Sequence, residues 1–114
     1  MQEQNYPINK WAIDDRPREK LRSRGAHVLS DSELLAILIN KGTRKYNAVD
    51  VAKQLLKLGK DNLAELGKVS VQELMKVSGI GEAKAITISA ALEIGRRREA
   101  ASIINKQMIN SSKE

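Results

Sequence analysis

Two glycines, set two apart and flanked by apolar residues at fixed distances, constrain this chain more than any other feature. The string is Leu74-x-x-Val77-Ser78-Gly79-Ile80-Gly81-x-x-x-Ala85-x-x-Ile88. This is a helix-hairpin-helix pattern. Glycine allows backbone conformations that a Cβ would obstruct and lets another backbone come close. Ile80 between the glycines can tuck into a core and pin the hairpin. Ala85 is small where two helices must approach, and Leu74, Val77 and Ile88 complete their interface.

That turn carries chemistry through its backbone. Amides at the tip and in the first turn of the following helix lack intrahelical partners. They project at the positive end of a helix dipole, which suits an anion such as a DNA phosphate. A phosphate contact positions a protein on DNA without reading bases. The candidate contacts are therefore Ser78, Gly79, Ile80 and Gly81 at the tip, with Lys76, Lys84, Arg44 and Lys45 adding charge around it. Gly79 and Gly81 are each expected to need a glycine-only conformation, and Lys84 is expected to be exposed. Weighing the other way, Gly-x-Gly is also a common tight turn, and such hairpins serve protein–protein or architectural ends. Glu82 would repel a neighbouring phosphate.

The rest of the chain supplies the helices around the hairpin. Asp15-Arg16-Pro17 starts a first, largely exposed helix that Gly25 stops. Ser30-Asp31-Ser32-Glu33 is a capping box ahead of Leu34-Leu35-Ala36-Ile37-Leu38-Ile39, a helix apolar enough for the centre of a bundle. A basic loop, Thr43-Arg44-Lys45-Tyr46-Asn47, leads to a third helix from about Asn47 to Gly59. A short helix spans 61–66. A second capping box, Ser70-Val71-Gln72-Glu73, opens another helix that carries Leu74, Met75 and Val77. A long helix runs from about Glu82 to at least Arg98. It bears Ala83, Ile86, Ala90 and Ile94 on one face and Ala85, Ile88 and Leu92 on another. The end, from Asn110, reads as polar and frayed.

No segment alternates as a strand would. The expected fold is all-α: a compact bundle of five or six helices. Leu34 to Ile39, the loop around Gly42 and Val49 to Leu56 resemble a degenerate second hairpin, so a tandem pair is weighed as well. The domain plan is an extended N-terminal arm over 1–15, anchored by Tyr6, Ile8, Trp11 and Ile13, a helix-hairpin-helix domain over 16–99, and a tail or linker over 100–114.

Composition narrows the function. With 20 Lys+Arg against 14 Asp+Glu, the 114 residues carry a formal net charge of +6. Cysteine is absent, which excludes disulfides, thiolate catalysis and cysteine metal sites within these residues. One histidine, His27, is too few for a His-rich metal site and reads as a surface loop residue. Three aromatics and no phenylalanine disfavour a module that stacks successive bases. Ser30, Ser32 and Ser70 read as caps rather than nucleophiles. Arg96-Arg97-Arg98 is as readily a solvated helix face as a DNA contact. The longest apolar run is too short to span a bilayer, and the N-terminus has no signal-like core, so a cytoplasmic protein is expected.

Asp15-Arg16-Pro17-Arg18-Glu19-Lys20-Leu21, Gly25-Ala26 and Leu29-Ser30-Asp31-x-Glu33-Leu34-Leu35-Ala36-Ile37-Leu38 together closely resemble the N-terminal region of the bacterial RadC family. Gly42-Thr43, Ala52, the hairpin and Ala91-Leu92-Glu93-Ile94-Gly95-Arg96-Arg97 continue the likeness over roughly residues 8–98. The resemblance implies a C-terminal JAB/MPN-type domain, like that of a zinc metallohydrolase, which this sequence stops short of. It also implies zinc bound in that absent domain and, through the family's name, a context of DNA repair. The hairpin further resembles that of DNA glycosylases. Ala83 stands where those forming a Schiff base carry lysine, and residues 62–114 hold no aspartate, so base-excision chemistry is not expected.

The reading is thus a non-enzymatic domain that binds duplex DNA through its backbone without sequence preference. The alternative is a protein-interaction or intramolecular docking module for the JAB/MPN-type domain. A stand-alone enzyme lacks the catalytic groups. No cofactor is expected in this chain.

Overall fold

Local signals place most of the helix boundaries in the computed structural model, which describes residues 7–112 and side-chain surroundings through residue 109. Pro17 opens α1 (Pro17–Arg24), where its missing amide costs nothing. Gly25 closes it with φ +94°, its amide donating to the Leu21 carbonyl at 2.8 Å. After a 3-10 turn over Ala26–Val28 comes α2 (Asp31–Ile39). Its capping box is complete: the Glu33 amide donates to Ser30 Oγ at 3.2 Å, and the Ser30 amide to Glu33 Oε1 at 2.9 Å. The other Glu33 oxygen accepts from Lys20 Nζ at 2.9 Å and ties α1 to α2. Burial pushes the Glu33 carboxyl up, but the Lys20 and Ser30 hydrogen bonds outweigh it, and the net shift is downward.

The third helix, α3 (Ala48–Leu58), starts at Asn47, whose Oδ1 accepts from the Asp50 amide at 2.8 Å, and ends at Gly59. A Cβ on Gly59 would collide with the Leu66 backbone, so the chain turns back tightly there. Lys60 and Asp61 both take positive φ, 56° and 60°. Two successive left-handed residues cannot begin a right-handed helix. The short helix therefore starts later than expected, as α4 (Leu63–Leu66) capped by Asn62.

The second expected capping box forms by half. Ser70 Oγ accepts from the Glu73 amide at 3.2 Å, but the Glu73 carboxylate turns to Lys76 Nζ, 3.0 Å away. The helix it opens, α5 (Val71–Leu74), stops before Met75 and Val77, which lie in the following turns. The last helix, α6 (Glu82–Ser112), has 31 residues. It continues past Arg98 to Ser112, since no glycine or proline follows Gly95 to stop it, and residues 113 and 114 lie outside the described residues.

Among the described residues there are six α-helices and no strand, an all-α architecture. Helices α2 and α3 pack side by side, with α6 crossing α2 and covered by α4 and α5. The centre holds Ile39, Val51, Leu55, Leu66, Leu74 and Ile88, all fully buried. Each such side chain contributes on the order of 1.5–3 kcal/mol through burial. Ala85 and Ile88 form the buried face of α6 as expected, whereas Ile86 and Ile94 on the other face lie in solvent.

The described part of the N-terminal arm, residues 7–15, is not extended. It forms 3-10 turns at Ile8–Lys10 and Ile13–Asp15, held by Arg16, whose guanidinium donates to the carbonyls of Trp11 (3.2 Å) and Asn9 (2.9 Å). Ile8 and Trp11 pack against the core, but Ile13 is 61% exposed and anchors nothing. Tyr6 lies outside the described residues.

Candidate nucleic-acid interface

The site begins where α2 ends. Asn40 has φ 71° and ψ −64°, and the Lys41 amide donates to the Ile39 carbonyl at 2.9 Å. This is a γ-turn in its rare, strained form. Asn40 Oδ1 accepts from Arg18 at 3.2 Å. A Cβ on Gly42 would collide with the Tyr46 carbonyl, so the loop closes tightly on itself. The Thr43 amide donates to that carbonyl at 2.7 Å, and Thr43 Oγ1 accepts from the amides of Lys45 (3.2 Å) and Tyr46 (3.0 Å). Arg44 and Lys45 are left exposed on the loop, with Lys45 Nζ 5.7 Å from the centre of the Tyr46 ring.

The second loop joins α5 to α6. The Val77 carbonyl accepts from the Ile80 amide at 3.0 Å, which draws the turn closed and sinks the Ile80 side chain into the core at 4% exposure. Ile80 can therefore offer a ligand only backbone. Gly79 has φ +96°, and a Cβ there would lie 2.7 Å from Thr43 Cγ2. The hairpin and the 41–46 loop are thus in contact. Lys84 fastens them: its ammonium donates to the Lys41 carbonyl at 2.8 Å and reaches the Gly79 carbonyl at 3.5 Å.

Two expectations change here. Lys84 is half-buried and bound to backbone carbonyls, not an exposed cation tolerant of charge reversal. Gly81 has no positive φ and nothing within 4 Å of an added Cβ, so the fold itself does not require glycine there. Gly81 instead holds the position before α6, its carbonyl accepting from the Ala85 amide at 2.9 Å. It has no side chain to cap the helix. Among the described residues no acceptor meets the amides of Glu82, Ala83 and Lys84.

The structure therefore gathers Arg44, Lys45, Ser78, Gly79, Gly81 and Lys84 into one neighbourhood through the contact of the two loops. Lys76 lies two residues before Ser78, its ammonium paired with Glu73. Sequence reasoning missed Lys41, an exposed lysine whose carbonyl receives Lys84, and Thr43, which abuts Gly79. Nothing local marks a pairing across 43 residues. Residues 41–46 carry three cations and no acid.

The remaining candidates lie apart. Arg96 and Arg97 bind the half-exposed Glu93 at 2.7 and 2.8 Å, and those hydrogen bonds, Arg96's first, hold its carboxyl down at about 2. His27 is exposed in a 3-10 turn. Ser30 and Ser70 are caps, but Ser32 is not: it is buried in the first turn of α2, its hydroxyl 3.2 Å from that of Ser30. Asp50 has a buried, unpartnered Oδ2, and burial raises its carboxyl against a backbone hydrogen bond from Asn47. Among the described residues no three His, Cys, Asp or Glu side chains come together. Among the same residues no helix is long and apolar enough to cross a membrane.

A sequence-family model described as UPF0758 N-terminal matches residues 8–86. A UPF0758 protein of Flavobacterium johnsoniae is 48% identical over all 114 residues, which make up 49% of its length. One from Staphylococcus aureus strain Newman is 49% identical over 90 residues, 79% of this chain and 39% of the relative. One from Alkaliphilus metalliredigens is 40% identical over 104 residues, 91% of this chain and 45% of the relative. The chain spans about half the length of these relatives or less. No solved structure matches it significantly.

Proposed function

The chain belongs to the UPF0758 N-terminal family, and from that premise we propose that it is a DNA-binding domain of a longer protein, gripping the phosphate backbone of duplex DNA without reading bases. The observation that carries this reading is the contact between two loops. The uncapped start of α6 offers free amides at the positive end of a 31-residue helix, and the loop packed beside it adds Lys41, Arg44 and Lys45. Amides and cations together suit an anion. The α5–turn–α6 unit is read as a helix-hairpin-helix, and α2–loop–α3 as its degenerate companion. Gly81 fits the same view, since its openness leaves room for a foreign backbone.

The family is further proposed to be that of the RadC proteins, with zinc and any hydrolytic activity residing in a JAB/MPN-type second half, and repair as the setting. The cytoplasm is the proposed compartment. A docking role for the domain remains the second reading, favoured by Lys84, whose ammonium is engaged within the fold.

An amide-shift titration with a short duplex at two salt concentrations tests the proposal. Shifts should appear first at 78–84 and at 41–46. Arg44→Glu, on an exposed side chain, should weaken binding several-fold at low salt, with the gap closing as salt rises. Unchanged affinity in a folded Arg44→Glu variant, or shifts confined to the N-terminal arm, would decide for docking.

A further inference from the structure

The distal part of α6 presents apolar side chains that the described residues leave largely exposed. Residues 100–109 include Ala100, Ala101, Ile103, Ile104, Met108 and Ile109. Ile103, Ile104, Met108 and Ile109 are 48%, 54%, 64% and 58% exposed. At 3.6 residues per turn, Ile103, Ile104 and Ile109 point in three directions about 100–140° apart around the axis. Ser102, Asn105, Lys106 and Gln107 lie among the apolar residues, so this end of the helix is mixed in character, with its isoleucines spread wider than a single stripe.

Two further observations choose the occupant. A second copy of α6 would cover one stripe and leave the other isoleucines in water. It would also bring two Arg96-Arg97-Arg98 runs together: directly in a parallel pair, and within a turn of each other in an antiparallel pair centred on the exposed stripe from Ile86 to Met108. Like charges so placed are destabilising. The second observation is one of length. The matched family domain is N-terminal, and the Flavobacterium johnsoniae relative has about as much chain again. The N-terminal description of that domain puts the relative's additional chain after the helix, on the side of its apolar end.

We propose that the second half of the full-length protein folds against the distal part of α6 and encloses Ile103, Ile104 and Met108. The helix is then shared: its first turns belong to the bundle and its last turns to the core of the other half. This stands independently of the DNA reading, which concerns the opposite end of the helix.

Hydrogen exchange on the full-length protein and on the 114-residue chain tests it. Amides of 101–109 should exchange at least tenfold more slowly in the full-length protein, at every protein concentration. Equal exchange in the two proteins overturns the proposal. So does protection that grows with concentration in either one, which assigns the surface to a second copy. Ile104→Asp should restore fast exchange at 101–109 in the full-length protein while leaving the melting of the 114-residue chain unchanged. Retained protection in that variant also overturns it, and the wild-type comparison decides the matter if the variant does not fold.

Discussion

Gly79 and Gly81 stand two residues apart, yet opposite physics governs them. Gly79 is held by its positive φ and by Thr43 against the position of its missing Cβ. Gly79→Ala should cost about 1–3 kcal/mol in denaturant melts through backbone strain and crowding. Gly81 has open space and precedes an uncapped helix. Gly81→Ser should raise stability by a few tenths of a kcal/mol, because its hydroxyl can accept from an orphan amide. The same hydroxyl would occupy the group offered to phosphate, so duplex affinity should fall. Stability and binding moving in opposite directions in one variant would mark an external ligand there. Lys84 makes a separate case. Lys84→Met frees the Lys41 carbonyl and should cost about 1 kcal/mol. In amide spectra it should disturb residues 41–46 as strongly as the hairpin, a pattern that a purely surface cation would not give.

At the scale of elements, legibility followed sequence distance. The caps at Ser30, Asn47 and Ser70 are written within four residues of the helices they start, and the sequence marks them. The start of α4 was misplaced because the left-handed pair Lys60–Asp61 is set by the close approach of Gly59 to Leu66, a tertiary contact. The expectation carries α6 to at least Arg98, and the helix reaches Ser112 because no breaker follows Gly95. The hairpin's residues were legible, but their meeting with the 41–46 loop was not, since it rests on contacts such as Thr43 with Gly79. The α1–α2 junction supports a pH prediction. Glu33 has a lowered carboxyl pKa in the folded chain, so its stabilising share is full above the ordinary carboxylate range and is lost as pH falls through the folded value. Melting wild type and Glu33→Gln from pH 7 to pH 3 should show the wild-type advantage shrinking toward acid.

For the molecule as a whole, binding at the two loops should look electrostatic. Three to five phosphates neutralised would give a log–log salt slope of roughly −3 to −4.5, with affinity near the ~10⁻⁴–10⁻⁶ M nonspecific range. Scrambled duplexes should bind alike, since Arg44, Lys45 and the hairpin amides face phosphates rather than base edges on this reading. Fluorescence anisotropy across a salt series checks both points, and a strong preference for one sequence would contradict the proposal.

The span of α6 has a mechanical consequence. A continuous helix of 31 residues is a rod about 46 Å long, so a tilt of about 10° at its first turn swings its last turn through about 8 Å. Whatever grips one end therefore steers what is attached to the other, with no hinge between them to absorb the motion. Gly95, with open space around it, is the poorest helix former along the rod and its most compliant point. Gly95→Ala should stiffen it and stabilise the helix by up to about 1 kcal/mol, read as a higher melting temperature and slower amide exchange at mid-helix. The lever would then lose what little give it has.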